Sequence, residues 1–143
     1  MWFVTIRRAT SVDEAIMRAF WDAFTVETAF TPYPGSAFTP ELLTDFVALV
    51  AENGDGVVGC VYANVAQDHF GFVFGLFVRR EHRHQGIARA LMRAIATEIR
   101  DSGRQYVVLN VDTPNTAARL LYERLGFVDA ARTLRIDVDG LLA

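Results

Sequence analysis

The stretch that most constrains the fold runs from His69 to Ser102. It opens with HFGFVFGLFV, an apolar segment with alternating Phe70, Phe72 and Phe74, which predicts a strand ending at Val78. A basic loop, RREHRHQ, follows, and Gly86 opens an amphipathic helix. Ile87, Leu91, Ile95 and Ile99 recur every fourth residue there, Ala88 and Met92 widen the stripe, and Gly103 fits its end. A strand that feeds such a loop and helix belongs to a layered protein of sheet and helices. The first amides of a helix lack intrahelical partners and carry the positive end of its dipole, so together they bind anions. Gly86 lets a phosphate approach the backbone, Ala88 keeps the next contact open, and Arg89 is placed to meet a second phosphate. The loop is neither a P-loop nor a Gly-x-Gly-x-x-Gly dinucleotide fingerprint. A glycine that merely starts a helix, and a charge run that is only a solvated face, are the plainer readings of the same residues.

The remaining segments predict a mixed α/β architecture. WFVTIRRA (Trp2–Ala9) is rich in β-branched and aromatic residues and reads as a strand. Ser11 with Glu14 has the spacing of a capping box, and Ile16, Phe20 and Phe24, flanked by Ala15, Ala19 and Ala23, carry a helix to about Val26. An aromatic, proline-rich loop holding Phe30, Tyr33 and Phe38 comes next, then a short second helix from Glu41 to Phe46. VALVAE and VVGCVYANVA flank NGDG as a hairpin. YVVLNV is continuously apolar, a strand buried on both faces. Pro114 suits a first helical position with Thr113 as cap, the helix ends at Leu125 before Gly126, and a last strand spans Phe127 to roughly Val138. The order β-α-α-β-β-β-α-β-α-β implies a mixed sheet covered by helices.

Composition narrows the function classes. A chain of 143 residues fits one domain, residues 1–143. Its net charge of −3 gives no global basic field for nucleic acid. No stretch approaches a membrane span, and Met1 to Arg8 lack the apolar run of a signal peptide. The single cysteine, Cys60, excludes an intrachain disulfide, agrees with a cytoplasmic setting, and reads as a small core residue. His69, His82 and His84 lack metal-ligand spacing, so no metal is expected, and His82 and His84 are placed near phosphate or solvent.

VRREHRHQGIARALM resembles the acyl-coenzyme A motif of the GCN5-related N-acetyltransferase (GNAT) superfamily. The family signature Gln/Arg-x-x-Gly-x-Gly/Ala is met by Arg83, Gly86 and Ala88, after a strand ending in Leu76, Phe77 and Val78. Where the family often has proline, two residues after the valine, Arg80 stands. A second block, LNVDTPNTAARLLYERLGF, resembles the later family motif, with Asn115, Tyr122, Gly126 and Phe127 at the matching positions. Two blocks in order extend the likeness over nearly the whole chain.

The resemblance implies a mostly antiparallel sheet splayed between its fourth and fifth strands, with acetyl-CoA in the splay. The pantetheine arm would pair with backbone at Leu76, Phe77 and Val78 like an added strand. Its diphosphate would sit on the amides of His84, Gln85, Gly86, Ile87, Ala88 and Arg89, beside Arg83. Asn115 would hydrogen-bond the pantetheine arm, unless it only caps its helix. Tyr122 would be the general acid that protonates the departing thiolate, and an amide near Phe77 or Val78 would stabilise the oxyanion of a tetrahedral intermediate. The reaction so implied moves an acetyl group to a primary amine of a small molecule, peptide or protein.

The general base is not given by the motifs. Several family members have glutamate on the fifth strand where Asn110 stands, and an asparagine cannot take that proton. Glu27, Asp68 and His69 are the candidates, each acting through water, and each otherwise a surface residue. The acceptor site is expected from the first helix, the Phe30–Phe38 loop and the turn at Asp68. The last strand should leave a sheet edge that the tail or a homodimer partner covers. A non-catalytic acyl-CoA-binding or sensor module is the alternative function, slightly favoured by Asn110. A nucleotide phosphotransferase would need a phosphate-gripping lysine and paired metal-binding carboxylates beside the loop, which are lacking.

Overall fold

The computed structural model describes residues 3–27, 37–112, 114–132 and 134–143. Contacts group the chain into two compact units, Met1–Asp112 and Thr113–Ala143.

The first unit is a five-stranded sheet in sequence order: β1 (Thr5–Arg8), β2 (Val47–Asn53), β3 (Gly56–Asn64), β4 (Phe70–Val78) and β5 (Tyr106–Val108). The first four strands are antiparallel, whereas β5 runs parallel to β4 after a helical crossover. Helices α1 (Glu14–Glu27) and α2 (Ile87–Asp101) cover opposite faces. The pleat shows this directly, because adjacent residues of a strand point to opposite sides. Cys60 joins Met17 and Phe20 of α1 in one buried cluster. Its neighbour Gly59 faces the other way, where a methyl added to it would lie 3.2 Å from Leu91 of α2.

The α2 stripe is as the four-residue spacing predicts. Ile87, Leu91, Ile95 and Ile99 are all buried, with Met92 beside them. The α1 helix is entered one residue earlier than the Ser11 capping box predicts. Thr10 precedes a 3₁₀ turn, Ser11–Asp13, and the Asp13 carboxylate accepts from the Thr10 amide at 2.8 Å. Asp13 wins this role because Arg7 clamps it from β1 with two hydrogen bonds, at 2.8 and 2.9 Å.

Three expected elements differ. The short helix from Glu41 to Phe46 is instead a single 3₁₀ turn, Pro40–Leu43. Phe46 is released from it and packs edge-on against Phe74 of β4, ring centroids 5.5 Å apart. The YVVLNV strand is cut to Tyr106–Val108, and it is not buried on both faces: Tyr106 is 58% exposed. It is the edge of the sheet, with β4 as its one neighbour. The strand from Phe127 to Val138 is absent among the described residues, and the segment ends in a short helix, α4 (Val138–Leu142). Its Leu134 and Ile136 are exposed, so the alternating pattern that predicts a strand finds no surface to bury against.

In the second unit α3 spans Thr116–Arg124. The expected cap Thr113 lies outside the described residues. Asn115 caps the helix, its side-chain oxygen accepting from the Ala118 amide at 3.2 Å. Gly126, at φ +97, closes the other end, where the Phe127 amide returns to the Tyr122 carbonyl.

Candidate active site

The sheet opens along β4. The parallel ladder joins Phe70, Gly71 and Phe72 to Tyr106, Val107 and Val108, and then stops. From Val73 to Val78 no described strand pairs with β4 on that side. The backbone groups there that face away from β3 offer an edge to an added extended chain, although the Val78 carbonyl already accepts from Arg83 Nε.

A bulge reshapes the same segment. Tyr62 of β3 pairs with Phe74, but Cys60 pairs with Phe77, so Gly75 and Leu76 together oppose Val61. Gly75 sits at φ +66, and a methyl on it would come within 2.6 Å of the Tyr62 ring. The extra residue brings Phe74 and Phe77, three positions apart, to the α1 face. There Phe74 stacks on Tyr62 at 5.3 Å, and Trp21 meets both rings edge-on. The Trp21 indole nitrogen is buried without a hydrogen-bond partner among the described residues. Burial pushes the Tyr62 phenol well above its ordinary range. Sequence periodicity marks these aromatics as core but does not reveal that they converge at the bulge.

Beyond Val78 the chain makes a 3₁₀ turn, Arg80–His82, and reaches Gly86 through two left-handed residues. His84 has φ +62 and Gly86 has φ +82. Such a conformation costs an L-residue such as His84 roughly 1 kcal/mol. Gly86 accepts from the Ala90 amide with its carbonyl and receives no side-chain cap. A methyl placed on it would meet nothing within 4 Å, so the space before the helix is open. His84, Gln85, Gly86 and Arg89 are exposed around that space, whereas Ile87 turns into the core and Ala88 is half-buried.

Arg83 does not extend into this opening. Its Nε donates to the Val78 carbonyl at 2.8 Å and its Nη2 to Glu27 at 2.6 Å, while the guanidinium lies 5.4 Å above the Phe77 ring. Arg80 reaches the other Glu27 oxygen at 3.6 Å. Glu27 is thus engaged by two guanidiniums at the C-terminal end of β4. Asp68 and His69 are exposed at the other end, where the His69 carbonyl accepts from the Gln105 and Tyr106 amides. At about 3.3 Å per strand residue, His69 is roughly 20 Å from Gly75. The three base candidates are therefore not brought together, and none lies at the bulge. Asn110 is exposed beyond the end of β5.

His82 corrects the expectation of phosphate or solvent. It is 8% exposed, and its Nε2 lies 2.9 Å from the Asp55 carboxylate in the β2–β3 turn. Burial pushes the Cys60 thiol up to about 12, so it stays protonated and unreactive, as a core residue. In the second unit Tyr122 packs against Phe127, ring centroids 5.5 Å apart, and burial pushes its phenol up to about 12. Of the expected acceptor loop, Phe30 and Tyr33 lie outside the described residues. Phe38 is buried, edge-on to Trp21, with Arg18 over its ring. Among the described residues no helix is long and apolar enough to cross a membrane, and no three His, Cys, Asp or Glu residues gather as a metal site.

The fold is shared with solved acetyltransferases. An acetyltransferase from Clostridium acetobutylicum, crystallised with acetyl-CoA, superposes at a TM-score of 0.79 with 14% identity, over 96% of this chain and 98% of that one. The aminoglycoside acetyltransferase AAC(6')-Iy, in complex with a bisubstrate analogue, CoA-S-monomethyl-acetylneamine, superposes at 0.74 with 18% identity, over 94% and 97%. These likenesses establish the fold. The chain belongs to the acetyltransferase (GNAT) family, whose pattern it matches over residues 14–127. It is 41% identical over 83 residues to N-acetyltransferase 8 of Homo sapiens, covering 54% of this chain and 37% of that protein. It is 37% identical over 70 residues to N-alpha-acetyltransferase 30 of Schizosaccharomyces pombe, covering 49% and 47%. The chain thus spans less than half the length of these curated relatives.

Proposed function

We propose that this protein is an acetyl-CoA-dependent N-acetyltransferase acting on a primary amine, the whole chain serving as one such domain. The observation that carries the reading is the continuity of two features. On its β5 side, strand β4 has no described strand beside it from Val73 to Val78, and it leads straight into the loop whose open Gly86 starts α2. The residues fit the cofactor: the open strand edge along Leu76, Phe77 and Val78 suits a pantetheine arm, and the amides from His84 to Arg89 suit a diphosphate. Acetyl-CoA supplies an activated acetyl group held as a thioester.

The chain's own residues have separable roles. The opened β4 backbone orients the extended arm, and an amide near Phe77 or Val78 steadies charge developing on the acetyl oxygen. Tyr122, kept protonated by burial, gives its proton to the departing sulfur. Asn115 uses its side-chain oxygen as a helix cap, and its amide nitrogen serves the pantetheine arm. The attacking amine loses its proton through water, since none of Glu27, Asp68 and His69 lies at the bulge to take it directly. The aromatic cluster of Trp21, Tyr62 and Phe74 at the bulge walls the acceptor side. By their names one solved relative is an aminoglycoside N-acetyltransferase and one curated relative an N-alpha-acetyltransferase, which supports an amine acceptor without narrowing it further. A buried, lone Cys60 accords with a cytoplasmic setting. β5 is a sheet edge that a second copy would cover, and light scattering that shows only monomer at high concentration removes that part.

Calorimetric titration with coenzyme A tests the reading. The wild-type chain should bind, and Gly86→Glu should not, because a carboxylate would fill the phosphate space and repel it, and a side chain at φ +82 would also strain the loop. Absence of binding to the wild type defeats the proposal. Asn110, in place of a carboxylate, favours the alternative of a non-catalytic acyl-CoA module. Free thiol released from acetyl-CoA with a panel of amines distinguishes the two, since a module binds without turnover.

A further inference from the structure

Asp55 lies in the turn between β2 and β3, outside every motif that points to the cofactor. The turn is rigid: the Asn53 side-chain oxygen accepts from the Asp55 amide at 2.8 Å. It presents the Asp55 carboxylate to His82 Nε2 at 2.9 Å. His82 is buried, and among the described residues its Nδ1 has no hydrogen-bond partner, so Asp55 is the polar group there that fixes the ring. A backbone tie lies close by, where the Arg79 amide donates to the Val58 carbonyl of β3 at 2.8 Å. The chain leaving β4 is therefore fastened to the hairpin twice before it reaches the loop.

The loop needs fastening. Its left-handed His84 and Gly86 are not conformations the chain prefers, and strained backbone persists only where its surroundings over-determine it. Arg83, bound to Val78 and Glu27, restrains the loop toward α1. His82 restrains it toward the hairpin. We propose that Asp55 and His82 form a clasp through which the β2–β3 hairpin holds the coenzyme loop in its phosphate-receiving shape. Asp55 is a positioning residue here and touches no part of the cofactor. A loop already held in that shape need not be ordered by the ligand, so the clasp raises affinity through preorganisation. The inference rests on the proposal that this loop receives the diphosphate of coenzyme A.

The test compares wild type, Asp55→Ala and Asp55→Asn. Asp55 is mostly exposed on a turn, so its removal leaves the core intact. Asp55→Ala should weaken coenzyme A binding about tenfold, as small misplacements of a binding group do. Its ligand-free melting temperature should fall by a few degrees at most, because buried His82 loses its ring partner while the core stays packed. Amide hydrogen exchange should quicken from Arg83 to Arg89 and not in α1. Asp55→Asn keeps an oxygen that accepts from Nε2–H and should recover most of the affinity. Wild-type affinity in Asp55→Ala, or equal loss in both variants, overturns the clasp while leaving the proposed function intact. Absence of coenzyme A binding by the wild type defeats both.

Discussion

The guanidinium of Arg83 donates to the carboxylate of Glu27 across 2.6 Å, joining the loop that precedes α2 to the last residue of α1. The same side chain holds the Val78 carbonyl, so the end of β4, the loop and α1 share one fastening. Loss of Arg83 in Arg83→Ala should weaken coenzyme A binding about tenfold by freeing the loop. Glu27→Gln keeps an acceptor for Arg83 and should leave the pH dependence of thiol release unchanged. A lost acidic limb in that variant would restore Glu27 as the general base.

Tyr122 offers a second test. With its phenol raised to about 12 by burial, it is protonated throughout the range in which amines are acetylated. Tyr122→Phe removes the proton donor and leaves the ring against Phe127. Turnover should fall by about 100-fold with little change in the KM for acetyl-CoA, as expected when a general acid acts only in the transition state. An equal fall in coenzyme A affinity would mean that Tyr122 binds rather than donates.

What the sequence made legible follows range. The four-residue stripe of α2 and the glycine before it are local signals, and both stand as the pattern implies. The partners of the loop are not local. Asp55 and His82 lie 27 positions apart, and Glu27 and Arg83 lie 56 apart, so no spacing rule connects them. Strand propensity failed for a related reason. Leu134 and Ile136 alternate correctly, yet a strand exists only against a partner edge. YVVLNV likewise carries apolar residues past Val108, but pairing with β4 ends at Phe72, and the extended run ends with it. The opening of the sheet is thus implied by the family resemblance but hidden from the local apolar pattern, which runs on past it.

Asp13 provides a prediction about acid. It is 3% exposed, and the Arg7 guanidinium holds its carboxyl below the ordinary value of 3.8. A carboxylate whose folded pKa is lowered stabilises the fold fully above its unfolded value. That contribution fades as pH falls through 3.8 toward the lower folded value. At neutral pH, Asp13→Asn should cost about 2 kcal/mol, since it breaks the charge-assisted pair with Arg7. Denaturant titrations of both proteins should converge below the ordinary aspartate range. A gap that persists there would assign the loss to packing.

Gly71 tests how closely β4 must approach α2 at the root of the opening. It pairs with Val107 of β5, and a methyl added to it would lie 2.5 Å from Ile99 Cγ1. Ile99 is 1% exposed, so it has little room to retreat. Gly71→Ala should therefore cost about 2 kcal/mol through overpacking. Ile99→Ala removes the obstructing atoms but leaves a cavity, and alone should cost about 3 kcal/mol. Combined, the new methyl enters space that Ile99 has vacated, so the double variant should lose less than the two single losses added, by about 1 kcal/mol or more. Urea denaturation of the four proteins measures this coupling. Strict additivity would mean that the strand and helix accommodate Gly71→Ala by moving apart. In that case the short β4–β5 ladder, rather than contact with α2, would fix where the sheet begins to open.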